Sequence, residues 1–186
     1  MSPKPSLTAK RVLVLGAETE VGRAVTTAAA EAGASVAAVA ATADAEAAFA
    51  VQRLARRLSS SERKVISQAI DATNEAAVRV MVRRVSKELG GLDAVVFTAP
   101  ASTGGHALEL AQTFADKEFD RATAPGVFVV AAPDWPMDKS MDLSVSRFPP
   151  RLKPQSGLVV LAMKERLPGQ VADDVIRAIA GKAESG

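Results

Sequence analysis

Hydrophobic and polar residues follow two different patterns along the chain, and segments with one pattern alternate with segments with the other. Short, largely apolar runs bounded by glycine or polar residues predict strands that are buried on both faces. These predicted strands span 11–15, 35–41, 65–70, 94–98 and 158–163. Longer stretches with apolar residues three or four positions apart predict amphipathic helices. The predicted helices span 21–32, 43–58, 73–89, 108–123 and 170–180.

The order of these elements predicts the fold class. Strands and helices that alternate with a repeat of roughly 30 residues form successive βαβ units, and these units build a parallel sheet. Because βαβ crossovers are right-handed, a doubly wound sheet is the expected topology. We therefore expect one Rossmann-like α/β domain over 11–181, truncated after about the fifth strand. The segments 1–10 and 182–186 are predicted to be flexible.

Two stretches in the second half follow neither pattern. Residues 126–135 read GVFVVAAPDW, which indicates either a strand by composition or a helix broken at Pro133. Residues 138–156 are rich in Pro, Ser, Lys and Arg. That composition predicts an extended surface insertion in the domain.

Composition excludes several classes of function. The 186 residues contain no cysteine, which excludes disulfides and thiolate chemistry, and one histidine, His106, which excludes a histidine-built metal cluster. A net charge of +2 without an arginine-rich tail argues against a nucleic-acid partner. No apolar run reaches the roughly 18 residues of a membrane span, and residues 1–10 hold no apolar signal core. We expect a cytoplasmic protein.

The turn after the first predicted strand is a candidate phosphate-binding turn. It reads GAETEVG, with Gly16 and Gly22 at its ends and Glu20 where a third glycine would stand. In dinucleotide-binding turns, glycines let the backbone approach a pyrophosphate that sits at the N-terminus of the following helix. The turn therefore keeps two of the three glycines of such a motif.

The segment LGAETEVGRAV resembles the TGxxxGxG turn of the short-chain dehydrogenase/reductase family, with Leu15 in place of threonine. Asp71 opens a segment that is similar to the family's D-v-t, whose aspartate lies beside the adenine. Residues 92–100 (LDAVVFTAP) resemble its L-D-v-l-V-N-N-A-G strand, with Phe97 and Thr98 in place of the two asparagines and Pro100 in place of the glycine. Together these segments imply a nucleotide cleft. The residues that would line it are Gly16, Gly22, Asp71 and Ala99.

The resemblance continues to about residue 164. Residues 118–124 (EFDRATA) are similar to the helix that approaches the family's active-site asparagine, a position held here by Pro125 or Gly126. VFVVAAPDWPM follows the family's next helix, and SGLVVLAM resembles the strand that ends in the catalytic serine, where Met163 or Lys164 stands here. The chain is thus similar to a divergent and truncated member of the family.

The family's catalytic chemistry is not expected. The resemblance implies a tyrosine as general acid, with a lysine four positions later, and this sequence contains no tyrosine. We therefore predict no catalytic residue in this chain.

Cofactor binding is also disfavoured. Glu18 and Glu20 would place two carboxylates beside the expected pyrophosphate, and like charges repel there. A glutamate in the first turn of a helix is more simply explained by the helix macrodipole, with Arg23 as a partner one turn later. Residues 40–42 (AAT) offer neither a carboxylate for ribose hydroxyls nor an arginine for a 2′-phosphate. Neither NAD nor NADP is expected.

Three further features carry weaker signals. His106 lies in a predicted loop after the fourth strand, where open α/β sheets bind ligands, but a lone histidine there is more often incidental. Two basic runs, 53–64 and 79–87, are able to attract an anionic partner but are more often solvated helix faces. The acidic residues Asp134, Asp138 and Asp142 lack the spacing of a cation loop.

Two hypotheses about function remain open. The preferred one is a non-catalytic scaffold that acts as a structural, accessory or regulatory subunit of an assembly. A protein partner or a second copy would bind through 126–156 and the exposed edge of the sheet. Large apolar residues would supply that surface: Phe128, Val129, Val130, Trp135 and Phe148. The alternative is a divergent NAD(P)-binding oxidoreductase or nucleotide-binding protein.

Overall fold

The chain folds around one sheet of six parallel strands in the order β3-β2-β1-β4-β5-β6. A computed structural model describes residues 3–122, 126–131, 157–161 and 166–183. The strands are β1 (Arg11–Leu15), β2 (Ser35–Ala40), β3 (Val65–Ala69), β4 (Ala94–Phe97), β5 (Val127–Val130) and β6 (Gly157–Val160). The helices are α1 (Glu20–Glu31), α2 (Ala45–Leu58), α3 (Glu75–Leu89), α4 (Gly105–Arg121) and α5 (Pro168–Ala183). One short 3-10 turn, Ala101–Thr103, follows β4.

The strand order confirms the predicted doubly wound Rossmann-like topology. From β1 to β3 the sheet grows in one direction, and β4 then joins the other side of β1. Open α/β sheets bind ligands at such a reversal, outside the carboxyl ends of the strands. The reversal therefore places a crevice where β1 and β4 end.

Two apolar layers form the core, one on each face of the sheet. Val12 and Val14 of β1 face the layer that holds the buried sides of α1, α2 and α5. Leu13 and Leu15 face the other layer, together with α3 and α4. This alternation within one strand explains why β1 is apolar throughout, as predicted for a strand covered on both faces.

Three helices begin at a side chain that caps them. Thr19, Asp44 and Asn74 each accept a hydrogen bond from the backbone N–H three positions later, at the start of α1, α2 and α3. Such caps bind helix N–H groups that have no partner within the helix. They fix the starts of α2 and α3 two residues later than the sequence predicts.

The strand interpretation of residues 127–130 is confirmed, and the resemblance of VFVV to a helix is wrong. All four residues are buried, and β5 pairs with β4 on one side and β6 on the other. β-branched valines suit a strand between two neighbours, because their branched side chains pack well on a pleated surface. Gly157–Val160 is consequently the sixth strand instead of the fifth.

The burial of β5 corrects one part of the predicted partner surface. Phe128 and Val129 have no exposed area, and Val130 is 6% exposed, so these side chains belong to the core. Trp135, Phe148 and the whole predicted insertion at 138–156 lie outside the described residues. On its far side, β6 has no strand partner within the described ranges.

The segment before β1 contains an anchor that the sequence prediction did not include. Leu7 is fully buried, and its N–H donates to the carbonyl oxygen of Ala32 at 2.8 Å. The Ser35 N–H donates to the carbonyl oxygen of Lys10. Leu7 thereby ties this segment to the end of α1.

Candidate functional site

A cleft of about 540 Å³ lies at the carboxyl ends of the strands. Its walls come from the β1–α1 turn, the segment Ala41–Asp44 after β2, the residue Asp71 after β3 and the segment after β4. Three carboxylates line it, those of Glu18, Asp44 and Asp71, and none of the lining residues is Lys, Arg or His. The cleft is therefore acidic, whichever ligand enters it.

Both glycines of the candidate phosphate turn are required by the packing of the protein itself. Gly16 has a φ of +106°, and a Cβ there would lie 2.4 Å from the Ala99 backbone nitrogen. A Cβ on Gly22 would lie 2.0 Å from the Gly16 carbonyl oxygen. Both glycines are buried. They let the end of β4 and the first turn of α1 approach the turn closely.

The backbone N–H groups of this turn are largely bound by acceptors within the chain. The N–H groups of Gly16 and Ala17 point to the carbonyl oxygen of Val39, at 2.8 and 3.0 Å. The Gly22 N–H donates to the Thr19 hydroxyl at 2.9 Å, and the Arg23 N–H donates to the Thr19 carbonyl oxygen at 2.9 Å. A pyrophosphate needs donors of this kind at a helix N-terminus. Here the Thr19 hydroxyl occupies the Gly22 N–H in the first turn of α1, and Val39 occupies two N–H groups of the turn before the helix.

The Gly16 carbonyl oxygen is the centre of a small hydrogen-bond network. It accepts from the Thr19 N–H at 3.1 Å, and the Thr19 and Thr98 hydroxyls lie 2.8 and 2.9 Å from it. Thr98 is fully buried at the end of β4. Thr98 stands where the resembled family has an asparagine, and in this chain its hydroxyl is bonded to the Gly16 carbonyl of the turn.

Glu18 lines the cleft and makes a contact that the sequence did not predict. Its two carboxylate oxygens lie 3.3 and 3.2 Å from the Ala41 nitrogen, which donates to them at the end of β2. Burial raises the pKa of Glu18. Hydrogen bonds from the N–H groups of Glu18 and Ala41 lower this pKa, but by less than burial raises it. Residues 40–42 at the end of β2 contain no carboxylate, and Glu18 brings one to this position.

Glu20 and Arg23 also differ in part from the prediction. Glu20 is exposed and begins α1, so its place in the first turn of the helix is confirmed. The Arg23 guanidinium donates to the backbone carbonyl oxygen of Glu18 at 2.9 Å, and not to the Glu20 carboxylate. This contact closes the turn over the start of α1.

Of the four predicted cofactor-binding residues, Asp71 lines the cleft. Gly16, Gly22 and Ala99 are brought together as well, but they are buried and pack against each other's backbone. The Asp71 carboxylate accepts hydrogen bonds from the Thr73 hydroxyl and N–H, which lower the pKa of Asp71.

Sequence reasoning missed Asp44, Ser102 and Thr103, which also line the cleft. Asp44 carries a local signal, because aspartate is a common capping residue and Asp44 stands at the start of the helix predicted over 43–58. For Ser102 and Thr103 the only signal is their place after β4. Their position at the cleft depends on the sheet order.

The weaker candidates do not join this site. His106 lies in the first turn of α4 instead of a loop, and its Nδ1 is 3.9 Å from a Glu109 carboxylate oxygen, away from the cleft. Among the described residues there is no group of three His, Asp or Glu that would hold a metal ion. Asp134, Asp138 and Asp142 lie outside them. In the same ranges, no helix is both long and apolar enough to cross a bilayer.

Comparisons with known proteins agree with this fold. Over 97 residues the chain is 37% identical to Glycine betaine reductase ATRR of Emericella nidulans, a match that covers 52% of this chain and 7% of that protein. A short-chain type dehydrogenase/reductase from Mycobacterium marinum superposes with a TM-score of 0.59 at 27% identity. A short chain dehydrogenase from Burkholderia cenocepacia J2315, solved in complex with NADP, gives 0.58 at 26% identity.

Each of these relatives is longer than the matched region. The two superpositions cover 67% of this chain, and 56% and 55% of the respective solved chains. The chain therefore spans slightly more than half the length of these solved relatives. The sequence profile of the short chain dehydrogenase family matches residues 10–133, which hold the glycine turn and the first five strands. The chain belongs to the short-chain dehydrogenase family.

Proposed function

We propose that this chain is a non-catalytic scaffold of the short-chain dehydrogenase fold, acting as a structural, accessory or regulatory subunit of an assembly. The observation that carries the proposal is the state of the phosphate turn. Its N–H groups at Gly16, Ala17, Gly22 and Arg23 are bound within the chain, and its glycines are buried. These four N–H groups thereby serve the packing of the turn and are not available to a pyrophosphate.

The charge of the cleft supports the same proposal. Glu18, Asp44 and Asp71 line it without a cation among the lining residues, and Glu20 stands exposed at the start of α1. A dinucleotide carries two phosphates, and NADP carries a third, so the cleft carboxylates repel it, and Glu18 does so most strongly because it is the one that is partly buried. The residues present therefore fit neither cofactor well.

The absence of tyrosine from the sequence supports a role without catalysis. No side chain of this chain can take the place of the phenolic proton donor that the family resemblance implies. Thr98 binds the turn and Thr103 lines the cleft. A hydroxyl of threonine is far too weak an acid to replace a tyrosine of lowered pKa.

Titration calorimetry with NAD⁺, NADH, NADP⁺ and NADPH tests the proposal. We expect no saturable heat up to a concentration of about 1 mM, because several N–H groups of the turn are already bound within the chain and three carboxylates line the cleft. Micromolar binding of any of the four would contradict the proposal. The Glu20→Gly variant restores the third glycine of the turn, and a gain of binding in this variant would support a scaffold derived from a cofactor-binding ancestor. Thr113→Ala on the exposed side of α4 is a matched control.

A second candidate function is nucleotide binding without the 2′-phosphate. The specific observation in its favour is that Glu18 and Asp44 place carboxylates at the end of β2, where acceptors for ribose hydroxyls are needed. Gly16, Gly22, Asp71 and Ala99 would surround such a ligand together with them. The NADP complex of the Burkholderia protein supports this candidate only at the level of the shared fold.

The two candidates differ in how Glu18 affects ligand binding. If a ribose binds, Glu18→Gln should weaken NAD⁺ binding, because a carboxylate accepts two strong hydrogen bonds from a vicinal diol. If the carboxylate only repels phosphate, the same variant should strengthen it. The same titration of Glu18→Gln and of the unchanged protein therefore decides between them.

A further inference from the structure

The exposed face of α2 combines an aromatic side chain with three arginines. Phe49 is 63% exposed, the largest aromatic exposure among the described residues. Arg53 and Arg56 follow it at the spacing of one helix face, and Arg57 lies beside them, all exposed. At 1.5 Å per residue, Phe49 and Arg56 are about 10 Å apart along the helix axis. We call these four residues the α2 face.

The arginines of the α2 face have no acidic partner among the described residues. Some other described arginines form ion pairs, such as Arg11 with Asp93, Arg84 with Glu88 and Arg121 with Glu118. Arg79 and Arg83 of α3 form none among the described residues, so they make α3 a comparable face for a control. The only carboxylate within α2 is Glu46, one turn before Phe49. The positive charge of the α2 face is thus left uncompensated by the described chain.

A structural explanation accounts for only part of this pattern. Arg56 and Arg57 lie in the last turn of α2, where cations stabilise the helix through its macrodipole. That effect does not explain Arg53, a turn earlier, or the exposure of Phe49. Aromatic residues and arginine are the residue types enriched in protein interfaces, and arginine and large aromatics dominate binding hot spots.

The distribution of charge along the chain favours a short acidic partner. Residues 45–89 contain nine Lys and Arg and five Asp and Glu, which leaves fourteen bases and sixteen acids in the rest of the chain. A nucleic acid carries negative charge far beyond the length of one helix and would meet this acidic remainder. An acidic protein segment of helix length would meet only the positive face.

We infer that the α2 face is a docking surface for an acidic amphipathic segment of a partner protein. Carboxylates of the segment pair with Arg53, Arg56 and Arg57, and an apolar side chain of the segment covers Phe49. This inference names the partner class of the proposed scaffold and rests on that function for its biological meaning. Its physical test is separate, because the α2 face lies on a helix surface outside the cleft.

A matched pair of charge-removal variants tests the inference. The variant Arg53→Gln/Arg56→Gln/Arg57→Gln neutralises the α2 face. The control Arg79→Gln/Arg83→Gln/Lys87→Gln removes the same charge from the exposed side of α3, which packs on the opposite face of the sheet. The probe is a fluorescein-labelled peptide of four Glu-Glu-Leu repeats, titrated by fluorescence polarisation. The oligonucleotide (dT)₁₂ is the second probe, and Phe49→Ala is the third variant.

We expect the peptide to bind the unchanged protein. The triple substitution on the α2 face should weaken this binding about tenfold, and the triple substitution on α3 should weaken it less than about twofold. Phe49→Ala should weaken it about fivefold. Equal losses from the two triple variants would mean that only net charge matters, and would overturn the inference. So would an unchanged affinity of Phe49→Ala, no peptide binding at all, or tighter binding of (dT)₁₂.

These outcomes are distinguishable from failure of the proposed function. Micromolar binding of NAD(H) or NADP(H) contradicts the non-catalytic scaffold and leaves the peptide result unaffected. Failure of the peptide to bind overturns the docking surface and leaves the nucleotide result unaffected. Circular dichroism of each variant checks that the total helix content is unchanged, which we expect because the substituted side chains are exposed.

Discussion

The hydroxyl of Thr98 lies 2.9 Å from the carbonyl oxygen of Gly16 and donates a hydrogen bond to it. The two residues follow β4 and β1, so the bond joins the ends of the two strands at which the sheet order reverses. In open α/β sheets this is the position of the ligand. Here the polar groups at the reversal bind each other.

Thr98→Val tests how much this bond stabilises the fold. The substitution keeps the shape of the side chain and removes its hydroxyl inside the core, so we expect a loss of about 1–2 kcal/mol in the free energy of unfolding. Thr26→Val is the matched control, since Thr26 is equally buried but bonds only the carbonyl of Gly22 within its own helix. Urea unfolding should show a clear loss for the first variant and almost none for the second. Equal losses would contradict the role of the Gly16 network.

Gly22→Ala should destabilise the protein strongly. Its Cβ would lie 2.0 Å from the Gly16 carbonyl oxygen, which is backbone and therefore cannot rotate away. We expect a loss of more than about 3 kcal/mol, because the turn and the start of α1 must separate. Gly181→Ala lies in α5 with open space around the added carbon, and should be neutral or stabilise by up to about 1 kcal/mol. Thermal melts of the two variants provide the comparison.

Glu18→Gln should stabilise the protein at neutral pH. Burial raises the pKa of Glu18, so the folded state disfavours the charged carboxylate relative to the unfolded chain, whose pKa is near 4.5. The penalty is present above the raised pKa and disappears as the pH falls below 4.5. The advantage of Glu18→Gln in urea unfolding should therefore vanish in acid. Glu20→Gln, at the exposed start of α1, should show no such advantage at neutral pH.

Asp93→Asn should show the opposite pH dependence. Burial raises the pKa of Asp93, but hydrogen bonds from the Arg11 side chain and N–H, together with the Arg11 charge, lower it further than burial raises it. The stability from this pair is present above 3.8 and is lost as the pH falls through the lowered pKa. Asp93→Asn should therefore cost about 1–3 kcal/mol at neutral pH, a difference that narrows in acid. A constant difference between pH 7 and pH 3 would contradict this account.

Gln112→Met should stabilise the fold. Gln112 of α4 is 2% exposed, and neither atom of its amide meets a hydrogen-bond partner in the described part of the chain. A buried amide without partners loses its hydration, and the unbranched side chain of methionine fills a similar volume without that loss. We expect a gain of about 1 kcal/mol in urea unfolding. Gln52→Met on the exposed side of α2 should leave stability unchanged.

The sequence predicts those parts of the site that depend on residues close together in the chain, and it misses contacts between distant residues. The glycines of the turn and Asp71 were found from local motifs, and Asp44 has a local signal as a helix cap. The contact of Glu18 with Ala41 joins residues 23 positions apart, and that of Thr98 with Gly16 joins residues 82 apart. Neither pairing has a local signature, because only the parallel alignment of β1 with β2 and β4 brings these residues together.

The sequence by itself determined the alternation of strands and helices, the apolar core and the loss of the tyrosine, because periodicity and composition are local properties. Tertiary structure decided that Val127–Val130 is a strand, since a short apolar run fits a helix or a strand until neighbours on both sides offer backbone partners. Tertiary structure also decided which groups the candidate phosphate turn binds. The spacing of the glycines specifies the backbone conformation of the turn. Its hydrogen-bond partners, however, are Val39, Thr19 and Thr98, and the fold decides that these residues lie next to it.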